Sequence, residues 1–310
     1  MHEWSAEVVV DRRLARRLIE RRFPAVELRT LRRLAEGWDN TVWLADERWV
    51  FRFPRRALAI PGVEREIAVL PALAPLLPAP IPDPVFVARA RDELAGSDFP
   101  WPFWGARLLA GREPADAGLG DAARQRLARP LAAFLRALHS PEVAAAIAAV
   151  HALPADPMGR ADMSRRVAAT ERRLLEGEGL GLWRAPERLR GVLAAALELP
   201  ASEPKVVAHG DLHLRHLLVD SSGGLRGVID WGDLCRADAA IDLSLIWSLF
   251  GPDARAAFLD AYGPVSVEGL LRARVLAVFL CATLAVYAHH ERMAKLRTEA
   301  LAGLARAAAD

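Results

Sequence analysis

Two aspartates frame the segment VVAHGDLHLRHLLVDSSGGLRGVIDWGD. Asp211 follows a His-Gly pair, Asp230 closes the apolar run LRGVID, and His209, His213 and His216 cluster around the first acid. Strand-like texture at 216–219 and 226–230 makes the two acids part of one short hairpin. Carboxylates held apart in this way suit phosphoryl transfer: one receives the proton of an attacking hydroxyl, and the other holds the Mg2+ that bridges nucleotide phosphates. Gly-Asp alone is an ordinary turn in which the aspartate stabilises its own loop. The hairpin behind it gives Asp211 its chemical reading. On a helix, the spacing of the three histidines would put them on one face as a zinc site of a hydrolase, but Gly210 and the strand-like LLVD argue against a helix there.

The elements that must carry these groups differ along the chain. Residues 8–22 have the pattern of an arginine-rich amphipathic helix stopped by Pro24. Residues 26–53 predict three short strands rich in Val, Trp, Phe and Thr, with turns at 36–40 and 45–48. A helix is expected at 62–77, with Val63, Ile67, Leu70 and Leu73 on its apolar side, and then a strand at 85–88. RDELAGSD at 91–98 predicts a hairpin leading into WPFWGARLLAG. Helical patterns follow at 121–139, 141–151, 162–178 and 184–198, and again from Asp238 to the end. The architecture expected is α+β and bilobed: a small β-rich lobe over 1–105 and a larger helical lobe over 106–310.

Composition narrows the class. At 310 residues and 53% hydrophobic, the chain is long and apolar enough for two lobes with buried cores. Its 41 basic and 39 acidic residues leave a net charge of +2, which offers no electrostatic case for nucleic acid as a partner. Cys235 and Cys281 are the two cysteines, too few for a disulfide framework and in keeping with a reducing cytoplasm. The first residues lack the apolar core of a signal peptide, and the run 275–288 is short for a bilayer, so it reads as a buried helix. The expectation is a cytoplasmic protein without a membrane partner, monomeric or homodimeric. Lys205 and Lys295 are the only lysines, so arginine must supply any cation needed in the first two hundred residues.

HGDLHLRHLLVD followed by VIDWGD resembles the aminoglycoside phosphotransferase family, the small-molecule branch of the protein-kinase-like fold, whose pattern is HGD-x-x-x-x-N and then I-D-[WF]-[ED]. The resemblance implies the bilobed kinase-like fold, with ATP or GTP as co-substrate, Mg2+ or Mn2+ as metal, and a small hydroxylated acceptor. It makes Asp211 the catalytic base and Asp230 a metal ligand. His216 stands where the family more often has Asn, a variant similar to the macrolide phosphotransferases. It either ligates the metal or holds its water or Asp211, and an imidazole suits Mn2+ better than Mg2+. His209 and His213 fall at scaffold positions, the second beside the phosphate path. Asp233 lies near metal or substrate, while Asp238 and Asp242 cap a helix and satisfy the catalytic loop.

In the N-terminal lobe, EGWDNTVWLAD resembles the phosphate-covering turn, with Gly37, Asn40 and Thr41 near the phosphates. Arg52 in WVFRFPRR takes the place of the kinase lysine and Glu66 that of its helix partner, with Glu64 as the fallback. Alternation puts Arg52 on the face opposite Phe51 and Phe53. Arg55 and Arg56 are either solvated or added to the phosphate site. Residues 104–109, Ala106 among them, form the expected hinge for the base, and His139 is expected in the core. For the acceptor, the acids of 112–200 (Asp116, Asp121, Asp156, Asp162, Glu171, Glu176, Glu178) are interspersed with arginines in an apolar background. That suits a macrolide better than a polycationic aminoglycoside. A nucleotide-binding regulator without catalysis is the alternative that the Asn-to-His and Lys-to-Arg departures suggest; the two retained aspartates count against it.

Overall fold

The computed structural model describes residues 6–37, 39–89 and 99–309. The hairpin expected at 91–98 lies outside them. The chain divides into two compact units, one of Met1–Pro75 with Ile81–Leu109 and one of Leu76–Pro80 with Ala110–Asp310.

The first unit opens with α1 (Arg12–Arg22). It starts later than the periodicity predicts because Asp11 caps it, its carboxylate accepting the Leu14 N–H at 2.7 Å. The three expected strands form as β1 (Leu31–Glu36), β2 (Asn40–Ala45) and β3 (Trp49–Pro54). With β4 (Phe86–Ala88) and β5 (Phe103–Arg107) they make an antiparallel sheet in the order β1-β2-β3-β5-β4. Phe51 and Phe53 project from one face of β3 into a core with Ile19, Leu31 and Phe103, and Arg52 between them leaves by the other face. On that second face α2 (Ile60–Leu73) lays Val63 and Ile67 against Trp104 and Ala106 of β5. The expected helix at 62–77 is thus shifted, its last turn being a separate 3-10 turn, Ala74–Leu76.

In the second unit, the short α3 (Pro114–Ala117), unforeseen in the sequence, precedes α4 (Asp121–Leu138), α5 (Pro141–Ala148), α6 (Met163–Gly179) and α7 (Arg188–Leu197). Two small antiparallel ladders follow. One pairs β6 (Val206–Ala208) with β9 (Cys235–Ala237), and the other pairs β7 (Leu217–Val219) with β8 (Leu225–Val228). The chain ends in α8 (Ala240–Leu249), α9 (Pro252–Tyr262), α10 (Val267–His290) and α11 (Ala294–Ala308). At 24 residues α10 is longer than the apolar run suggested, and by length and composition alone it is enough to cross a bilayer. Here it is the central core helix of its unit, packed against α6, α7, α8 and α11, with Val275, Val278 and Ala285 fully buried.

Candidate active site

The loop that carries Asp211 hangs from β6, and its shape is set by a buried carboxylate. Asp242, in the first turn of α8, is wholly buried; its Oδ2 accepts the N–H of His209 at 2.7 Å and its Oδ1 that of Gly210 at 3.1 Å. His139, at the end of α4, places Nε2 3.1 Å from Asp242 Oδ2, while its Nδ1 meets the Tyr262 hydroxyl at 2.8 Å. His139 is therefore a core residue with a defined partner. Burial alone would raise the Asp242 pKa, but the His139 ring and the backbone N–H of His209 hold it below the ordinary value. Gly210 has φ of +88°, and a β-carbon there would come within 2.2 Å of the Asp233 carbonyl oxygen. Only glycine fits both demands. His209 is entirely buried and pushed down to about 4 by burial, so it stays neutral and binds the Ile229 carbonyl through Nε2 at 3.0 Å.

Asp211 emerges from this loop with its carboxylate against Arg160, whose Nη2 lies 3.4 Å from Asp211 Oδ1 and 2.9 Å from Asp233 Oδ2. Burial pushes the Asp211 carboxyl up to about 6, against the opposing charges of Arg160 and His216. Arg160 is itself fixed by Asp156, whose carboxylate accepts the backbone N–H of Arg160 at 2.8 Å and of Ala161 at 2.9 Å.

A single 3-10 turn, Leu214–His216, joins the loop to β7, so the three histidines never share a helix face. His213 Nδ1 accepts the Arg215 N–H at 3.3 Å, leaving its proton on Nε2, which sits 3.7 Å from Asp211 Oδ2. His216 stacks on the His213 ring at 3.8 Å between centroids and turns the other way: its Nδ1 donates to the Asp211 carbonyl at 2.8 Å. A carbonyl only accepts, so the proton is on Nδ1 and Nε2 offers a lone pair. That nitrogen faces Asp230 Oδ2 at 3.3 Å. An imidazole nitrogen facing a carboxylate oxygen at this distance is a pair that a proton or a cation can bridge. Burial works to lower the His216 pKa, but the charge of Asp230 outweighs it and the pKa is raised. Asp230 adopts φ of +67°, a strained conformation of a kind that gathers at functional sites.

The other expected site residues lie in the first unit. Arg52 Nε is 3.4 Å from Glu66 Oε2, and the Trp104 indole donates to the same oxygen at 3.1 Å. Glu66 is buried, whereas Glu64 is exposed, so the ion pair forms with the former. The Asn40 amide, oriented with its oxygen toward Arg52, accepts from Nη2 at 3.0 Å, and the neighbouring Thr41 is buried in β2. Gly37 sits in the β1–β2 turn, its N–H bonded to the Asn40 carbonyl at 2.9 Å. Arg55 binds the Gly37 carbonyl at 2.6 Å and Glu36 at 3.0 Å, and Arg56 pairs with Asp39. Both arginines clamp that turn. Ala106 lies within β5 opposite Val50, buried beside Trp104.

This geometry can be compared with known proteins. The model of the phosphotransferase enzyme family (APH) matches residues 30–276, four-fifths of the sequence. The chain belongs to this family. The fold agrees with that of solved structures across almost the whole phosphotransferase chain. The GDP and kanamycin complex of APH(2")-IIia is 24% identical, with a TM-score of 0.67 and coverage of 94% of this chain and 97% of that one. Macrolide 2'-phosphotransferase type I is also 24% identical, with a TM-score of 0.59 and coverage of 97% and 98%. The macrolide 2'-phosphotransferase MphH from Brachybacterium faecium, as apoenzyme, is 24% identical, with a TM-score of 0.60 and coverage of 93% and 96%. An uncharacterized protein of Bacillus subtilis (strain 168), YcbJ, is 41% identical over 54 residues, so the matched stretch spans 17% of this phosphotransferase chain and 18% of YcbJ.

Two side chains that hold the expected residues in place, one in each unit, escaped the sequence reading. Arg160 sits in an unpatterned loop, and no motif joins it to an aspartate about fifty positions away. Trp104 was expected only as part of a hinge, and its bond to Glu66 depends on the register of β5 against β3.

Proposed function

We propose that the chain transfers the γ-phosphate of ATP or GTP to a hydroxyl of a small acceptor, with Asp211 as base and with Asp230 and His216 holding the divalent metal. The observation that carries the reading is the Asp211 carboxylate, raised to about 6 beside Arg160, next to the Nε2–Oδ2 pair of His216 and Asp230 3.3 Å apart. In the transfer, the acceptor oxygen bonds to the γ-phosphorus as the bond from phosphorus to the β–γ bridging oxygen breaks. The nucleoside diphosphate leaves, and the hydroxyl proton passes to Asp211. Arg160 steadies the Asp211 carboxylate, and His213 Nε2–H approaches its other oxygen.

His216 and Asp230 fit the implied metal through one imidazole nitrogen and one carboxylate oxygen, a set open to Mg2+ and better suited to Mn2+. When bound, such an ion neutralises phosphate charge. In the first unit, Arg52, held by Glu66 and Asn40, supplies the phosphate-binding cation that lysine provides in kinases. Backbone groups of the turn at Gly37 and of the strand at Ala106 receive the nucleotide. Of the solved neighbours, one is a complex with GDP and kanamycin and two are named macrolide 2'-phosphotransferases, which supports a small hydroxylated acceptor. Both cysteines are free and buried, in keeping with work in a reducing cytoplasm. Nucleotide consumption with Mg2+ or Mn2+ across a panel of hydroxylated acceptors tests the reading. Acceptor-dependent turnover should vanish in Asp211→Asn while nucleotide binding persists; unchanged turnover in that variant would refute the role of Asp211.

A further inference from the structure

The loop that delivers Arg160 to Asp211 runs on into α6, and between loop and helix lies a groove of about 390 Å3. Three arginines, Arg165, Arg166 and Arg172, line it, together with Met158, Gly159 and two alanines; no carboxylate is among the lining residues. Positions 165 and 172 are seven apart on α6 and so share one face.

Each arginine is held differently. Arg165 folds over Gly159, where φ is +58° and a β-carbon would lie 2.6 Å from Arg165 Nη1. Among the described residues, neither Arg165 nor Arg172 has an ion-pair or hydrogen-bond partner for its guanidinium. Arg166 is half-buried: its Nε donates to the Arg160 carbonyl at 3.3 Å and its guanidinium lies 4.2 Å over the Phe279 ring. Burial, with the positive charges of Arg160 and Arg165, pushes Arg166 down to about 10. Like charges gathered in one groove repel one another; Asp162 offsets part of this at Arg165 and Asp156 at Arg166, and an anion in the groove relieves the rest. A guanidinium also matches carboxylate and phosphate oxygens in pairs. Arg160 links the groove to the base: Arg166 holds its carbonyl, and its side chain reaches Asp211.

We propose that this groove seats an anionic group, a carboxylate or a phosphate, of the acceptor whose hydroxyl is presented to Asp211. The inference rests on the phosphoryl-transfer reading and assigns its acceptor to hydroxylated acids or phosphate esters, a departure from the aminoglycosides and macrolides of the named neighbours.

Met158 makes the seat observable without turnover. It lines the groove, while Met163 and Met293 are elsewhere, so 13C-methyl methionine spectra of the full chain, assigned with Met158→Leu, report on it directly. Inorganic phosphate and acetate are titrated separately. The Met158 signal should shift saturably with at least one of them, and about 10–100-fold more weakly in Arg165→Ala/Arg172→Ala. A response to phosphate alone assigns a phosphate ester, and a response to acetate a carboxylate. No shift with either probe at tens of millimolar, or an equal shift in the double variant, overturns the seat.

Turnover provides the second arm. Anionic acceptors should lose kcat/KM in the double variant through KM, with the nucleotide KM unchanged. Turnover of cationic acceptors that ignores the double substitution overturns the seat and leaves the phosphoryl-transfer reading intact. A Met158 response with no turnover of any acceptor leaves an anion-binding groove but removes the phosphoryl-transfer reading, and with it the groove's role as an acceptor seat.

Discussion

Removing the Asp242 carboxylate should unseat the loop that carries Asp211 from beneath. Its two oxygens take the N–H groups of His209 and Gly210 and the ring of His139, at 2.7, 3.1 and 3.1 Å, in a fully buried place. In Asp242→Ala the two backbone donors lose their acceptors where water cannot replace them, at about 2 kcal/mol each, so the loss is ~4 kcal/mol. Asp242→Asn keeps the volume but turns an amide N–H toward one of the donors; it should cost about half as much and remain folded. The sign of the pH dependence follows from the depressed carboxyl. Its stabilisation is complete above the ordinary aspartate value near 3.8 and disappears as pH falls through the lower folded value. The wild type should therefore have an acid limb that the variants lack, with parallel curves at neutral pH. Denaturant midpoints from about pH 2 to 8 measure this, and kcat in the folded Asn variant should fall because Asp211 loses its place. A midpoint for Asp242→Ala within ~1 kcal/mol of wild type would refute the reasoning.

Three further outcomes follow from the same structure. Asp211→Asn should stabilise the metal-free protein at neutral pH, since a carboxyl raised from 3.8 to about 6 gives up ~3 kcal/mol when ionised; an unchanged melting curve would contradict this. Glu66→Ala should cost about 3 kcal/mol and weaken nucleotide binding, because Arg52 and the Trp104 indole lose a shared buried acceptor; calorimetry with nucleotide reads both. Arg160→Ala leaves Asp211 and Asp233 without their shared cation and should lower kcat about 10–100-fold, with partial recovery in Arg160→Lys.

The segment that brings Asp211, His216 and Asp230 together was legible in the sequence because its groups are local: they fall within twenty residues, beside strands whose texture is plain. The pairing of Arg52 with Glu66 was legible for a different reason. A charge between two phenylalanines on an alternating strand needs a partner on the opposite face, and α2 offers its buried Glu66 there while Glu64 faces solvent. What escaped was held by tertiary contacts. His139 looked like any core residue, yet it links Tyr262 to Asp242 across elements more than a hundred positions apart. The β6–β9 ladder is three residues on each side, too short for alternation to register. The late start of α1 reflects one side-chain cap at Asp11, which a periodic pattern does not weigh.

The central claim is that Asp211 directs the γ-phosphate of a nucleotide onto an acceptor hydroxyl. Phosphorus NMR of wild type and Asp211→Asn, incubated with ATP or GTP, Mn2+-free Mg2+ buffer and the acceptor panel, tests it most directly. The account predicts a new phosphomonoester signal that depends on both acceptor and enzyme, and no such signal with Asp211→Asn. Nucleotide that binds yet yields inorganic phosphate alone, or an ester formed equally well by the variant, would contradict it.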